Sequence, residues 1–166
     1  QDPYASLNPR RRAGELVAQG PMIHGMARDA AMAKARELFA LVGLDPAAIE
    51  RFTHEFSGGQ RQRIGLARAL AMAPEVLVAD EPVSALDVSV QAQVLKLLAE
   101  LRERLGLSIV FITHDLRVAA QVCDLVAVMK DGEVVEHGPI ARVFEAPRHA
   151  YTQALLASVP GRGFGA

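Results

Sequence analysis

The sequence is poor in cysteine and aromatic residues and has no long apolar run. Cys123 is the one cysteine among 166 residues, tryptophan is absent, and aromatic residues make up 5%. A lone cysteine excludes a disulfide or a cysteine-based metal site within one chain, and it fits a reducing compartment. Apolar runs such as 125–129 are too short to span a bilayer, and we expect no signal peptide.

Strong charge of either sign is also missing. The formal net charge is −1 at pH 7, so the basic footprint of a nucleic-acid-binding protein is not seen. Apolar residues make up 51% and charged residues 22%, which is ordinary for one globular domain. Because the sequence begins with Gln1 rather than methionine, we expect it to be a fragment.

The stretch 56–70 (FSGGQRQRIGLARAL) predicts a helix whose first turn is open to an anion. Ser57 is a favoured N-cap and Gln60 lies three residues later, which is a capping-box pattern. Gly58 and Gly59 place no side chains in front of the turn, where the helix dipole is worth about half a positive charge. A phosphate could bind there through backbone N–H groups. The alternative is a surface helix with a good cap.

Two apolar runs predict buried strands that end in polar side chains. Residues 76–79 lead to Asp80 and Glu81, and residues 107–113 lead to His114. Continuous apolar runs are typical of parallel strands covered on both faces, and ligands bind outside the carboxyl ends of such strands. We therefore expect these three polar side chains at one edge of a sheet.

The rest of the chain predicts helices around that sheet and one hairpin. Ahead of residue 56, a short helix over 14–19 ends before Pro21, and a longer helix over 30–41 is stopped by Gly43. The further predictions are a helix capped by Ser89 and ended by Gly106, a hairpin turn at Asp131-Gly132, and helices over 116–122, 140–145 and 151–158.

The polar residues at the predicted sheet edge suit a magnesium–nucleotide site. Asp80 could hold Mg²⁺ directly or through water, and Glu81 could take a proton from an attacking water. His114 could donate a hydrogen bond to a phosphate oxygen, and Asp87 could make a loop contact. Taken singly, each residue has a plainer alternative: a solvated acidic turn, or a polar residue near a helix start.

Five motifs together resemble the ATP-binding subunits of ABC transporters. FSGGQ at 56–60 is similar to the family signature, and VLVADEP at 76–82 is similar to the Walker B strand with the catalytic glutamate. SALD at 84–87 resembles the D-loop, ITHD at 112–115 the switch-histidine loop, and Gln1 the Q-loop glutamine. The motifs follow the family order and run nearly from end to end of the chain.

Three segments resemble the subclass that imports oligopeptides, dipeptides or nickel. They are QDPYASLNPR at 1–10, DEPVSALDVSVQAQVL at 80–95 and PRHAYTQALL at 147–156. Phe56 is usual in this subclass where many ABC proteins have Leu, whereas Ala150 stands where the subclass usually has Pro. The subclass often carries an iron–sulfur-type cysteine cluster near its C-terminus, and this chain stops before any such segment.

The resemblance also shows what the sequence lacks. A P-loop (Walker A) needs Gly-Lys followed by Ser or Thr, and none of Lys34, Lys96 and Lys130 follows a glycine. The aromatic loop that stacks on adenine in the family is missing too. Without the P-loop strand, residues 107–113 should present an unpaired apolar edge or close directly onto residues 125–129.

The fold that the resemblance implies is α/β: a P-loop NTPase-like core with a parallel sheet, preceded by a helical subdomain, with the first half of the core missing. Residues 1–56 would form the Q-loop and the helical subdomain. Residues 57–145 would form the signature helix and the second half of the ATPase core, and residues 146–166 a tail of the peptide-importer type.

In the family, two subunits pair head to tail and hold ATP between the P-loop of one and the signature of the other. The site roles that this resemblance implies are nucleotide binding in trans for Ser57, Gly58, Gly59 and Gln60, and D-loop contacts for Ser84 and Asp87. The implied catalytic residues are Glu81 as general base, His114 as a γ-phosphate contact and Gln1 as a contact to Mg²⁺ or to the attacking water, and Asp80 would contact Mg²⁺.

The implied cofactors are ATP and Mg²⁺, and no nucleic-acid partner is expected. The implied partners are a second ABC ATPase subunit, identical or different, transmembrane permease subunits and, indirectly, an extracytoplasmic solute-binding protein, at the cytoplasmic face of the inner membrane.

Two other functions remain as alternatives. An ABC ATPase of DNA repair or chromosome structure is disfavoured, because the segment from Gln1 to Ser57 is short and interrupted by prolines and so does not suit a long coiled coil. The second alternative is a non-catalytic fragment that binds a partner.

Overall fold

The computed structural model describes residues 7–159. The chain divides into two compact units, with the boundary between Val110 and Phe111. The first unit contains α1 (Ala13–Ile23), α2 (Arg28–Leu41), two 3₁₀ turns (Pro46–Glu50 and Thr53–Glu55), α3 (Gly58–Leu70), β1 (Val76–Asp80) and α4 (Val88–Leu105). Strand β2 (Ser108–Ile112) crosses the boundary, and the second unit continues with α5 (Leu116–Val122), β3 (Leu125–Lys130), β4 (Glu133–Pro139), α6 (Ile140–Glu145) and α7 (Ala150–Ala157).

The helical part of the first unit packs around a core to which Leu97 and Leu101 of α4 and Leu107 also contribute. Helix α1 packs against α2 and α3, and Val17, Phe39 and Ile49 are at most 1% exposed. Gly14 allows α1 to approach the first 3₁₀ turn closely, since a Cβ at this position would lie 2.8 Å from the Cβ of Ile49. Removal of these large apolar side chains from water is the main term that stabilises the helical part.

Helix α1 is longer than the sequence predicts. It runs through Pro21 to Ile23, so the prediction that it ends before Pro21 is wrong. Proline inside a helix removes one backbone hydrogen bond and crowds the preceding turn, which costs about 3 kcal/mol. Pro21 is buried, and the packing of α1 against α2 and α3 offsets that cost.

Glycines end two helices where the sequence predicts it. Gly43 follows α2 with φ +72°, and Gly106 follows α4 with φ +63°, in the left-handed region that favours glycine. Behind α2, the N–H of Leu44 donates to the carbonyl oxygen of Phe39 at 2.8 Å. This bond satisfies a carbonyl that the helix itself leaves without a partner.

Strands β1 and β2 form a small parallel sheet. The sequence predicts strands covered on both faces, but in β1 only Leu77 and Ala79 are buried, whereas Val78 is 62% exposed. Among the residues that the structure describes, β2 pairs with β1 alone, while β3 and β4 form a separate sheet. The expected unpaired edge is therefore confirmed, and the expected cover of both faces is wrong for residues 7–159.

Helix α4 begins two residues earlier than the sequence predicts. Its N-cap is Asp87, whose carboxylate accepts a hydrogen bond from the N–H of Val90 at 3.0 Å, so the prediction of Ser89 as the cap is wrong. Aspartate and serine are both favoured caps, and the turn after β1 decides which one stands at the helix start. Between residues 7 and 159, no helix combines the length and the apolar character needed to cross a membrane.

Strands β3 and β4 form the hairpin that the sequence predicts. Asp131 and Gly132 have φ of +52° and +85°, as the two central residues of a type I′ turn require. The antiparallel register runs from Lys130 opposite Glu133 outward, with one irregularity between Val128 and Met129.

Candidate functional site

The first turn of α3 forms the reciprocal cap that the sequence predicts. Ser57 Oγ accepts a hydrogen bond from the N–H of Gln60 at 3.3 Å, and Gln60 Oε1 accepts one from the N–H of Ser57 at 2.9 Å. Helix α3 has 13 residues, and its dipole places about half a positive charge at this turn. A capped turn with two glycines and a positive end suits the approach of an anion.

Phe56 anchors the capped turn to the helical core. Its side chain is 3% exposed, and its ring meets the ring of Phe39 edge-on with centroids 6.5 Å apart. The Arg51 guanidinium lies 4.8 Å from the centroid of the Phe56 ring, within the range of a cation–π interaction. The aromatic residue that opens the motif is therefore a packing residue.

The first turn of α4 lies against the first turn of α3. A Cβ at Gly59 would overlap Cγ1 of Val90, so a side chain at position 59 has no room. Val90 is in turn held by the Asp87 cap. The contact between Gly59 and Val90, together with the Asp87 cap, therefore connects the predicted site segments 57–60 and 84–87.

The chain leaves β1 through a sharp turn at its two acidic residues. Asp80 is exposed at the end of β1, and Glu81 has φ +45°. The left-handed conformation costs about 1–2 kcal/mol for a residue with a side chain. Ser84 stabilises the turn, because its hydroxyl donates to the Glu81 carbonyl oxygen at 3.2 Å. Backbone strain of this kind is concentrated at functional sites, and it fixes the point from which the Glu81 carboxylate extends.

Asp80 could contribute to a magnesium site together with a nucleotide. Among residues 7–159, no group of three or more His, Cys, Asp or Glu side chains is placed to hold a metal ion. Mg²⁺ in nucleotide sites is bound by one or two carboxylates, with phosphate oxygens and waters as the other ligands. An exposed carboxylate at the end of a strand fits that arrangement.

A cavity of about 270 Å³ lies between α3, β1 and α4 and reaches Asp80. Arg63 lines this cavity, and its guanidinium donates to the carbonyl oxygen of Val42 at 3.0 Å and to Gln93 Oε1 at 3.4 Å. Arg63 therefore ties the end of α2 to α4. The sequence interpretation missed this role, because Val42 and Gln93 are both far from Arg63 in the chain.

A comparison with protein families decides the classification. The family model described as ABC transporter matches residues 1–84, half of the chain. This chain belongs to the ABC transporter family. A second model, described as the C-terminal region of oligopeptide/dipeptide transporters, matches residues 135–164.

The ABC chain is similar to curated proteins whose names refer to peptide import. It is 49% identical over 162 residues to the oligopeptide transport ATP-binding protein OppF of Bacillus subtilis, covering 96% of this chain and 53% of that protein. It is 50% identical over 161 residues to the dipeptide transport ATP-binding protein DppF of Escherichia coli, with coverages of 96% and 48%. A putative peptide import ATP-binding protein of Brucella abortus is 50% identical over 161 residues, with coverages of 96% and 51%. The chain spans about half the length of the curated relatives it matches.

The predicted site residues of this ABC chain are divided between the first unit, the second unit and the N-terminal residues outside the described range. His114 follows β2 in the second unit and is exposed, and the next residue, Asp115, caps α5 by accepting from the N–H of Arg117 at 2.9 Å. Gln1 lies outside the described residues. The first unit holds Ser57, Gly58, Gly59, Gln60, Asp80, Glu81, Ser84 and Asp87.

The second unit contains a buried acid that the sequence interpretation missed. The Glu136 carboxylate accepts hydrogen bonds from the N–H of Arg148 at 2.9 Å and the N–H of His149 at 3.1 Å. The bond from Arg148, then the bond from His149, lowers the pKa of Glu136 from 4.5 to about 2. Glu136 thereby ties β4 to the segment that leads into α7. No local sequence pattern marks Glu136 as buried, because its position opposite the buried Val128 is set by the register of the hairpin.

Proposed function

We propose that these residues belong to an ATP-binding subunit of an ABC importer that couples ATP hydrolysis to the uptake of peptides or similar small solutes. The observation that carries the proposal is the capped first turn of α3, where Ser57 and Gln60 bond reciprocally beside two glycines. Two subunits would pair head to tail, so that residues 57–60 of one contact the ATP bound by the P-loop of the other. The names of the curated relatives support the solute class.

Three polar residues would carry the chemistry in that assembly. The Glu81 carboxylate would accept a proton from water as the water oxygen attacks the γ-phosphorus and the bond from that phosphorus to the β–γ bridging oxygen breaks, with ADP as the leaving group. His114 would donate a hydrogen bond to a γ-phosphate oxygen. Asp80 and Gln1 would hold Mg²⁺, which when bound offsets the negative charge of the phosphates. The strained turn at Glu81 supports its role, because it fixes the backbone from which the base extends.

The P-loop would come from a preceding part of the same polypeptide in the whole protein. The exposed apolar side chains of the small sheet, such as Val78 at 62% and Val110 at 51%, support this proposal. Parallel strands are stable when helices cover both of their faces, and the missing half of an ABC core would supply that cover. Residues 1–56, 57–145 and 146–166 would then be the helical subdomain, the second half of the core and the C-terminal tail.

The partners would be a second ATPase subunit, transmembrane permease subunits and, through them, an extracytoplasmic solute-binding protein. The complex would place this chain at the cytoplasmic face of the inner membrane. An ABC ATPase of DNA repair is less well supported, because the segment before Ser57 folds as two packed helices and 3₁₀ turns over the described residues 7–56, with no long coiled coil there.

The decisive experiment is performed on the full-length subunit assembled with its permease in lipid vesicles. We expect phosphate release from ATP that rises when a peptide-loaded binding protein is added, together with uptake of labelled peptide. Hydrolysis without uptake of any peptide would refute the transport function and favour a different ABC class. Absence of ATP hydrolysis would refute the catalytic function itself.

The 166-residue chain by itself should release no measurable phosphate from ATP. The dipole of α3 contributes about 1 kcal/mol to anion binding at an exposed helix end, whereas binding near 100 μM requires roughly 5–6 kcal/mol. Without a P-loop the phosphates are not held in line, and positioning supplies most of the catalysis in these enzymes. Phosphate release that disappears in the Glu81→Gln variant would show that the chain is a complete enzyme.

A further inference from the structure

The second glycine of the signature lies directly against a side chain from another helix. Within the first unit, Val90 in the first turn of α4 covers Gly59 in the first turn of α3. A Cβ built on Gly59 would overlap Cγ1 of Val90 and would lie 3.8 Å from its Cβ and 3.9 Å from its Cγ2. The Cγ1 methyl of Val90 is therefore the atom that excludes a side chain at position 59.

Val90 has little freedom to move away from Gly59. Its backbone N–H donates to the Asp87 carboxylate at 3.0 Å, and the N–H of the next residue, Gln91, donates to the Asp87 carbonyl oxygen at 2.8 Å. A β-branched side chain in a helix has one strongly preferred χ1 rotamer, so rotation of the two methyl groups is also unfavourable. The cap at Asp87 thus fixes the position at which the Val90 methyl groups contact the signature turn.

We propose that Val90 is a positioning residue that joins the loop ending at Asp87 to the signature turn. Through this contact, a displacement of residues 84–87 would move the backbone of Gly59, and with it the first turn of α3. The expected effect on turnover rests on the proposed function, in which the signature turn contacts ATP and the Val90 contact helps to place that turn. The contact with Val90 also explains why residue 59 is a glycine, without requiring that a phosphate comes close to its backbone.

A second glycine of the same helix provides a matched comparison. Gly65 is in the interior of α3, and a Cβ at that position would meet nothing within 4 Å outside the helix. Alanine is a better helix former than glycine. Substitution of Gly65 by alanine should therefore raise stability, whereas the same substitution at Gly59 should lower it as long as Val90 is present.

The test is a double-mutant cycle in the full-length subunit with Gly59→Ala, Val90→Ala and the combination of both, with Gly65→Ala as the control. Thermal unfolding and the kcat and KM of ATP hydrolysis are measured for each variant. We expect Gly59→Ala to lower the melting temperature by a few degrees, and to lower kcat about 10–100-fold through misplacement of the turn, with a smaller change in KM. Gly65→Ala should leave kcat unchanged.

The sign of the Gly59→Ala effect should reverse when Val90 is replaced by alanine. The overlapping methyl group is then gone, and the two Cβ atoms would lie 3.8 Å apart, an ordinary contact. The double variant should melt at or above the melting temperature of Val90→Ala, and its kcat should recover to within about threefold of the kcat of Val90→Ala. Such recovery is expected when the effects of two contacting residues are not additive.

Three outcomes would overturn parts of this proposal separately. A double variant that melts as far below Val90→Ala as Gly59→Ala melts below the wild type would show that Val90 does not exclude the side chain. Recovery of the melting temperature without recovery of kcat would show that the glycine serves the nucleotide directly, against a positioning role for Val90. A wild-type subunit without ATP hydrolysis would overturn the proposed function, while the melting temperatures would still decide the contact.

Discussion

The helical part of the first unit, residues 7–70, and the strands β1 and β2 differ in how far they bury their apolar side chains. Phe39 and Ile64 in the helical part are fully buried, whereas Val78 of β1 and Val110 of β2 are 62% and 51% exposed. Helices α1, α2 and α3 cover one another from nearby sequence, while strands of a parallel sheet depend on helices from distant sequence. The first unit therefore holds a well-buried helical core, to which Leu97, Leu101 and Leu107 contribute, beside a sheet that is covered on one face.

The largest expected effect tests this difference in burial directly. Phe39→Ala should lower the free energy of unfolding by about 3–5 kcal/mol, because it leaves a cavity in the helical core and removes the edge-on contact with Phe56. Val78→Thr keeps the branched shape on an exposed face and should change the free energy by less than about 0.5 kcal/mol. Urea unfolding of both variants of the chain, followed by far-UV circular dichroism, measures the two values. Equal losses of unfolding free energy in the two variants would contradict the difference in burial between the helical part and the strands.

The second prediction concerns the two ends of β1. In the full-length subunit, Glu81→Gln should retain ATP binding and reduce turnover by about 100-fold or more, the size expected when a general base is lost. The matched control is Glu75→Gln, because Glu75 is an exposed acid just before the same strand. Nucleotide binding and phosphate release are measured side by side. Near-normal turnover in Glu81→Gln would show that Glu81 is not the general base and that the turn at this residue has only a structural role.

The third prediction sharpens the comparison at the junction of the helical part and the strands. Ser57→Ala removes the side-chain acceptor of the α3 cap and should cost about 1 kcal/mol, which lowers the melting temperature by about 2–4 °C. Ser89→Ala should shift it less, because Asp87 caps α4 and Ser89 does not. Calorimetry on the two variants separates a true cap from a serine that only resembles one. A larger loss of melting temperature in Ser89→Ala would contradict Asp87 as the cap of α4.

The smallest effect is confined to acidic solution and concerns Glu136. Its pKa is about 2 in the folded chain against an ordinary 4.5, so its stabilising contribution is present above pH 4.5 and is lost as the pH falls towards 2. Glu136→Gln should abolish that part of the acid dependence, whereas Glu133→Gln, an exposed acid in the same strand, should retain it. Hydrogen exchange of the Arg148 and His149 amides between pH 5 and 2.5 reports the two bonds. The same pH dependence of exchange in the wild type, Glu136→Gln and Glu133→Gln would contradict the role of Glu136 in the acid dependence.

Much of the local structure was predictable because its chemistry is contained in a few neighbouring residues. The Ser57–Gln60 cap, the glycine stop at Gly43 and the Asp131-Gly132 turn each depend on two or three positions that are close in sequence. The order of the motifs gave the family in the same way. The roles of Glu81, Asp80, His114 and the other site residues stay predictions, since they depend on a nucleotide and a second subunit.

The sequence by itself determined the Ser57–Gln60 cap, the Asp131-Gly132 turn and the family, since these follow from side-chain type and short spacing. Tertiary structure decided that α1 continues through Pro21, because the packing of α1 offsets the lost backbone bond. It also decided that Glu81 adopts a left-handed conformation and that Val90 covers Gly59. Each of these features depends on where another element lies in space, and the strength of such a contact is not contained in the neighbouring sequence.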